Sequence, residues 1–306
     1  MAAIITDQLR ILNAKNFVAG VASTANSYYS FVGLPNATDY DTDWETTPPS
    51  PIDNFNQEDN YWDTMIALKK ITKSDVRQVV TKKTWTSGIT YDMYRNNISA
   101  TDVAKPSDAV NLYDANYYVL NSDYRVYVCL QNGTSPDNPS GRPSLDEPTF
   151  TDLEPREAGT SGDGYMWKYL YTISPSDIVK FDSTEYMPVP QDWESNTNDA
   201  AVRDNAASSG QLKIVTIVNR GVGVGTANKV YTRVPIKGDG SGAEATVTTN
   251  ASSTVETVTI SNGGSGYTFG TLDLAAKGIE GTTAPIFNVI IHPQGGHGAH
   301  IYRELG

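Results

Sequence analysis

All three histidines, His292, His297 and His300, fall within nine residues of one another. Imidazoles clustered this closely can ligate zinc or serve as a general base. Here Gly295, Gly296 and Gly298 interleave them, which makes the segment too mobile to preorganise ligands by itself, and Cys129 is distant in sequence. A Ser-His-Asp or Cys-His site would have to draw its base from this one glycine-rich tail. Asp39, Asp41 and Asp43 alternate like the start of a calcium loop, but Trp44 and Ser50 stand where that loop needs glycine and glutamate. A solvated acidic loop is the reading. The run Gly221-Val-Gly-Val-Gly225 follows a strand-like segment, as a dinucleotide-binding turn does. What comes next is β-branched and ends at Pro235, so no helix opens there to receive a pyrophosphate. A tight turn is expected instead. Carboxylates are plentiful, yet no local pattern singles out an acid and a partner across a sugar cleft. The expectation is a protein that is not an enzyme and carries no cofactor, no metal and no small-molecule substrate.

The formal charge of −12 argues against binding nucleic acid by phosphate neutralisation. One basic concentration, Lys69, Lys70, Lys73, Arg77, Lys82 and Lys83, reads as a solvated face rather than a docking patch. No apolar run approaches the roughly 20 residues that cross a bilayer, so no membrane partner is expected. The start of the chain has no basic region followed by an apolar core, and a single cysteine forms no disulfide framework, which together indicate folding in a reducing cytoplasm. Cys129 lies in a strand-like run and reads as a buried thiol.

The elements expected to carry these residues are mainly strands. A helix starts near Asp7 and runs to Val18, and Ser27 to Gly33 reads as a strand. A long Pro-rich loop follows, with Trp44, Pro48 and Pro49 as candidate protein contacts. Asn60 to Lys70 reads as a second helix, with Trp62, Met65, Ile66 and Leu68 largely on one side. Val76 to Trp85 is strand-like, and Gly88 to Tyr94 is another strand or turn pair. Tyr117–Leu120 and Tyr124–Leu130 form a hairpin across Asn-Ser-Asp. Asn132 to Gly164 looks disordered in composition, and Tyr165 to Ile173 is the strongest aromatic strand. Asp163 and Tyr165, at the end of that loop, are further candidate contacts. A linker is expected over 192–210. Beyond it, Val215–Gly223 and Val258–Gly266 match at an offset of 43 residues. Each continues to a further strand, Ala243–Thr249 and Pro285–Ile291, giving a small β domain of two related halves. The division is 1–200 for a core domain and 205–306 for the repeat. Eighteen tyrosines and five tryptophans suit either sheet cores or protein interfaces, and the balance favours interfaces.

Several segments resemble one family when taken in order. They are Tyr28–Gly33, Tyr61–Lys70, Ser74–Val80, Trp85–Asp92, Tyr117–Leu120 with Arg125–Leu130, Glu147–Thr149, and Glu185–Val189. Gly162-Asp-Gly-Tyr-Met-Trp-Lys-Tyr-Leu-Tyr171 is the most distinctive member. The series is similar to the baseplate wedge subunit of T4-like myophages, the gene product 8 family, in its cyanophage form. It covers about residues 25–190, with weaker likeness at Gly295–Gly298 and Glu304–Gly306. The resemblance implies a mainly β, sandwich-like subunit with helix-bearing loops, a homodimer, and contacts with other baseplate wedge proteins in the virion. It implies no catalytic residues. It leaves the 211–291 repeat unassigned and implies a further strand after Gly306, so a truncated chain or a fragment is expected. The rival expectation is a tail-fibre or receptor-recognition module whose glycine-rich repeat binds host surface glycans.

Overall fold

The computed structural model describes residues 6–33, 62, 64–206 and 211–306, and among them the chain is mainly β, with thirteen strands in several antiparallel sheets and a few short helices. The chain divides into two compact units, Met1–Gln78 and Val79–Gly306.

In the first unit Thr6 caps helix α1 (Asp7–Ala22) by accepting the Leu9 N–H. Strand β1 (Tyr28–Gly33) then pairs antiparallel with β2 (Met65–Ile71) in a two-stranded sheet, with Phe31 opposite Leu68. The helix expected over 60–70 is therefore corrected. Met, Ala, Leu and Lys favour helices weakly, and a short apolar run does not fix its own period. Pairing along β1 decides it. Trp44, Pro48 and Pro49 lie outside the described residues.

The second unit holds two hydrophobic cores. The first surrounds a three-stranded sheet in the order β4 (Tyr118–Leu120), β5 (Arg125–Asn132), β6 (Tyr165–Thr172). The expected hairpin and aromatic strand are both present. Beside it β3 (Val79–Thr81) pairs with β7 (Tyr186–Pro188). Gly88 to Tyr94 forms no strand, but Tyr91, Asp92, Met93 and Tyr94 are buried. The 132–164 segment, disordered by composition, is tied down by hydrogen bonds. Gly88 N donates to Ser144 O, Ser144 N donates to Ile89 O, and Asn121 Nδ2 donates to Pro148 O. Short helices α2 (Pro175–Phe181) and α3 (Ala200–Ala206) follow. The supposed linker is partly interior, since Trp193, Val202 and Ala206 are buried.

The second core belongs to the glycine-rich repeat. Its strands are β8 (Val215–Asn219), β9 (Val230–Gly238), β10 (Ser241–Thr249), β11 (Val255–Ser265), β12 (Gly270–Leu272) and β13 (Ile286–Val289). One sheet runs β11-β10-β9-β12 and the other pairs β13 with β8. Together they curl into a half-barrel, with β12 approaching β13 and β11 approaching β8. The two sequence copies are exchanged. The last strand of the first copy, β10, pairs with the first strand of the second, β11, and β13 returns to pair with β8. Each copy thus completes the other. Gly221 and Gly264, equivalent by the offset, both take a left-handed φ, 68° and 60°. A Cβ there would meet Thr283 O at 2.7 Å and Ser241 O at 2.5 Å, so glycine is required at both positions, the second of them within β11. After His292 the chain leaves the repeat, and helix α4 (Ile301–Leu305) joins the first core through Ile301 and Leu305.

Candidate functional site

Two of the histidines meet, the His292 and His297 rings lying edge to face with 6.4 Å between centroids, while His300 stands apart. His297 is buried, with Nδ1 at 2.6 Å from Glu304 Oε1, while Glu304 Oε2 accepts the Gly298 N–H at 2.6 Å. The Glu304 backbone carbonyl accepts the Tyr117 hydroxyl. His292 Nδ1 lies 2.6 Å from the Pro293 carbonyl oxygen, and burial pushes the His292 pKa down. His300 is exposed. Among the described residues no group of His, Cys, Asp or Glu is placed to hold a metal ion. The segment works as a fastener for α4. Trp193 Nε1 reinforces it by donating to Gly298 O at 3.0 Å and Ala299 O at 3.1 Å. Cys129 is wholly buried, and burial raises its thiol pKa well above the ordinary value, which leaves it an inert thiol.

The distinctive Gly-Asp-Gly-Tyr-Met-Trp-Lys-Tyr block is interior too. Asp163 accepts the backbone N–H groups of Leu145 at 2.8 Å and Tyr165 at 2.9 Å. The Tyr165 hydroxyl accepts from Tyr91 N and donates to Arg142 O. Lys168 Nζ donates to Leu153 O at 2.6 Å and Asn205 Oδ1 at 2.8 Å, and burial lowers its pKa. Asp163 and Tyr165 are therefore corrected as candidate contacts. Both are buried by their own chain and pin its loop to the sheet. The tyrosine count misleads in the same way. Among the described residues eight tyrosines are buried, and phenols such as Tyr118 and Tyr127 donate to the backbone carbonyls of Thr81 in β3 and Phe150. The basic concentration is also divided. Lys82 pairs with Asp182 at 2.7 Å and Lys83 donates to Ala115 O, while Lys69 pairs with Asp75 at 2.6 Å in the other unit.

Sequence reasoning passed over the β1–β2 hairpin. Strand alternation sorts its side chains onto two faces. One carries Tyr28, whose ring meets Phe17 of α1 edge-on at 5.8 Å between centroids, and whose hydroxyl lies against Gly20. The other carries Tyr29, Phe31, Ile66 and Leu68, all about half-exposed or more. Val21 is the one buried hydrophobic residue among the described residues up to Gln78. Helix α1 adds exposed Leu9, Leu12 and Phe17. Among its described residues this unit shows an apolar surface and almost no interior. The signal was there in the sequence as two short apolar runs, Tyr28–Gly33 and Met65–Leu68. It was masked by reading the second as a helix.

Comparison with models of known protein families and with curated proteins finds no match for the chain.

Proposed function

We propose that the chain is a non-catalytic structural subunit of a contractile phage tail, a wedge component of the baseplate, acting by protein–protein assembly. The reading takes the ordered segments of the sequence resemblance together with one observation, the open apolar face of the β1–β2 hairpin. Contiguous exposed apolar patches of this kind mark interaction surfaces. Tyr29, Phe31, Ile66 and Leu68 are about half-exposed, so covering what remains would contribute on the order of 1 kcal/mol each. The partners are a second copy and other wedge proteins, and the site of action is the tail baseplate of the virion.

Co-expression with the remaining tail proteins, followed by affinity purification and light scattering, tests the reading. A dimer that carries other tail proteins with it is the expected result. The four-fold variant Tyr29→Ser, Phe31→Ser, Ile66→Ser, Leu68→Ser should lose them while the 79–306 unit keeps its fold. A strictly monomeric chain that joins none of the tail proteins would refute the proposal.

A further inference from the structure

Lys168 is a buried amine whose hydrogen bonds go to neutral oxygens. It stands in the middle of β6, is 4% exposed, and its Nζ donates to Leu153 O at 2.6 Å and to Asn205 Oδ1 at 2.8 Å. Asn205 lies in α3, 37 residues further along the chain. Its Nδ2 donates to Glu154 Oε1 at 2.8 Å, and Glu154 Oε2 pairs with Lys213 Nζ at 2.9 Å. This carboxamide can sit only one way round. A lysine ammonium only donates and a carboxylate only accepts, so the oxygen faces Lys168 and the nitrogen faces Glu154.

A buried amine, a carboxamide in contact with it and a carboxylate at the far end of that carboxamide are the parts of an amide exchange. Burial lowers the pKa of Lys168, which raises its share of the neutral, nucleophilic amine. The carbon open to attack, Asn205 Cγ, is one bond beyond the oxygen that Lys168 already touches. Asparagine χ2 is soft enough to turn the face of the carboxamide towards Nζ. Glu154 is exposed, and its bonds to Lys213 and Asn205 hold its pKa below the ordinary value, so it stands ionised beside the nitrogen that would leave. A cavity of about 30 Å³ borders Lys168 and Asn205, with Leu130 and Ala206 also in its wall. It has room for a molecule the size of water or ammonia.

We infer that Lys168 and Asn205 join in an intramolecular isopeptide bond. Nζ of the neutral amine attacks Asn205 Cγ, the Cγ–Nδ2 bond breaks, and Nδ2 leaves as ammonia after gaining one of the two Nζ protons. Glu154, hydrogen-bonded to Nδ2, is the group placed to pass that proton across. No oxidant, nucleotide or second substrate is consumed. The product ties α3 to β6 and replaces a buried amine with a neutral amide. This is a single self-modification rather than turnover, and it stands whether or not the assembly reading holds.

Intact mass and tryptic mapping of the full chain test it. The chain should be lighter than its sequence mass by one ammonia, and trypsin should fail to cut after Lys168. One branched peptide should join residues 157–180 to residues 204–213. Asn205→Ala should show no loss of ammonia. Glu154→Ala should keep the parent's circular dichroism and leave most of the freshly purified chain uncrosslinked. The inference is overturned if the parent has its full sequence mass, with Lys168 and Asn205 in separate, unmodified peptides. It is equally overturned if the missing ammonia maps to a succinimide at Asn132 or Asn262, each of which precedes a glycine. Complete crosslinking in Glu154→Ala would overturn the role given to Glu154.

Discussion

The β1–β2 hairpin and the β4–β5–β6 sheet are made of the same materials. Each is a short antiparallel set rich in tyrosine, with aliphatic residues on both strands. In the sheet, Tyr117, Tyr118, Tyr127, Tyr165, Trp167 and Tyr171 are all at most 1% exposed. The five tyrosine hydroxyls end on backbone carbonyls that other strands, loops and helix α4 of the same chain supply. In the hairpin Tyr28 meets α1, while Tyr29, Phe31, Val32, Ile66 and Leu68 meet solvent. Residue type therefore does not separate a covered face from an open one here. What separates them is whether the chain brings its own loops and strands to cover the face.

The comparison can be broken from either side. The largest expected effect is in the covered region. Trp193→Ala should cost about 3–5 kcal/mol in urea unfolding, since it opens a cavity and releases two carbonyls. A loss below about 1 kcal/mol would mean the first core is not the chain's main store of stability. Next comes Glu304→Leu, which leaves the buried His297 ring and the Gly298 N–H without their acceptor. It should cost about 3 kcal/mol and release α4 to hydrogen exchange.

Lys83 supplies a pH signature of the covered region. Burial lowers its pKa to about 8, against raising contributions from Asp92 and Asp114. The unfolded lysine titrates near 10.4. Between these values the unfolded lysine binds more protons than the folded one, so Lys83 makes stability rise as pH increases from about 8 towards 10, while the buried Cys129 thiol, whose pKa is raised, opposes it above about 9. Above about 10 the tyrosines reverse it, because burial raises the pKa of groups such as Tyr117 and Tyr171. Lys83→Met should flatten the rise, which unfolding series at several pH values would read. The smallest effect belongs to the open face. Leu68→Ser should change the unfolding free energy of the isolated chain by no more than about 0.5 kcal/mol, while reducing self-association.

Much of the β architecture was legible in the sequence. The hairpin at Asn121–Tyr124, the aromatic β6 and the glycine-rich turns follow from local pattern and turn chemistry. The repeat was legible as an offset, but the exchange of β10 and β13 between its copies was not. Pairing is a long-range choice that a 43-residue period does not encode. β2 was misread because Met65 to Lys70 fits a helical face as well as a strand, and only β1 breaks the tie. Asp163 and Tyr165 were placed outside because Gly, Ser and Pro around them resemble a free loop. The acceptors and donors that bury them, Tyr91, Arg142 and Leu145, lie 18 to 74 residues away. The open apolar face of the hairpin is hidden in the sequence for the same reason as β2.

Hydrogen–deuterium exchange across the hairpin tests the central claim most directly. In the isolated, monomeric chain the backbone N–H groups of Tyr28–Gly33 and Met65–Ile71 should exchange quickly, while those of β5 and β6 stay protected. On association with a second copy or with tail proteins, protection should appear in the hairpin. Strong protection of both strands in a chain shown to be monomeric, unchanged when tail proteins are added, would contradict the account.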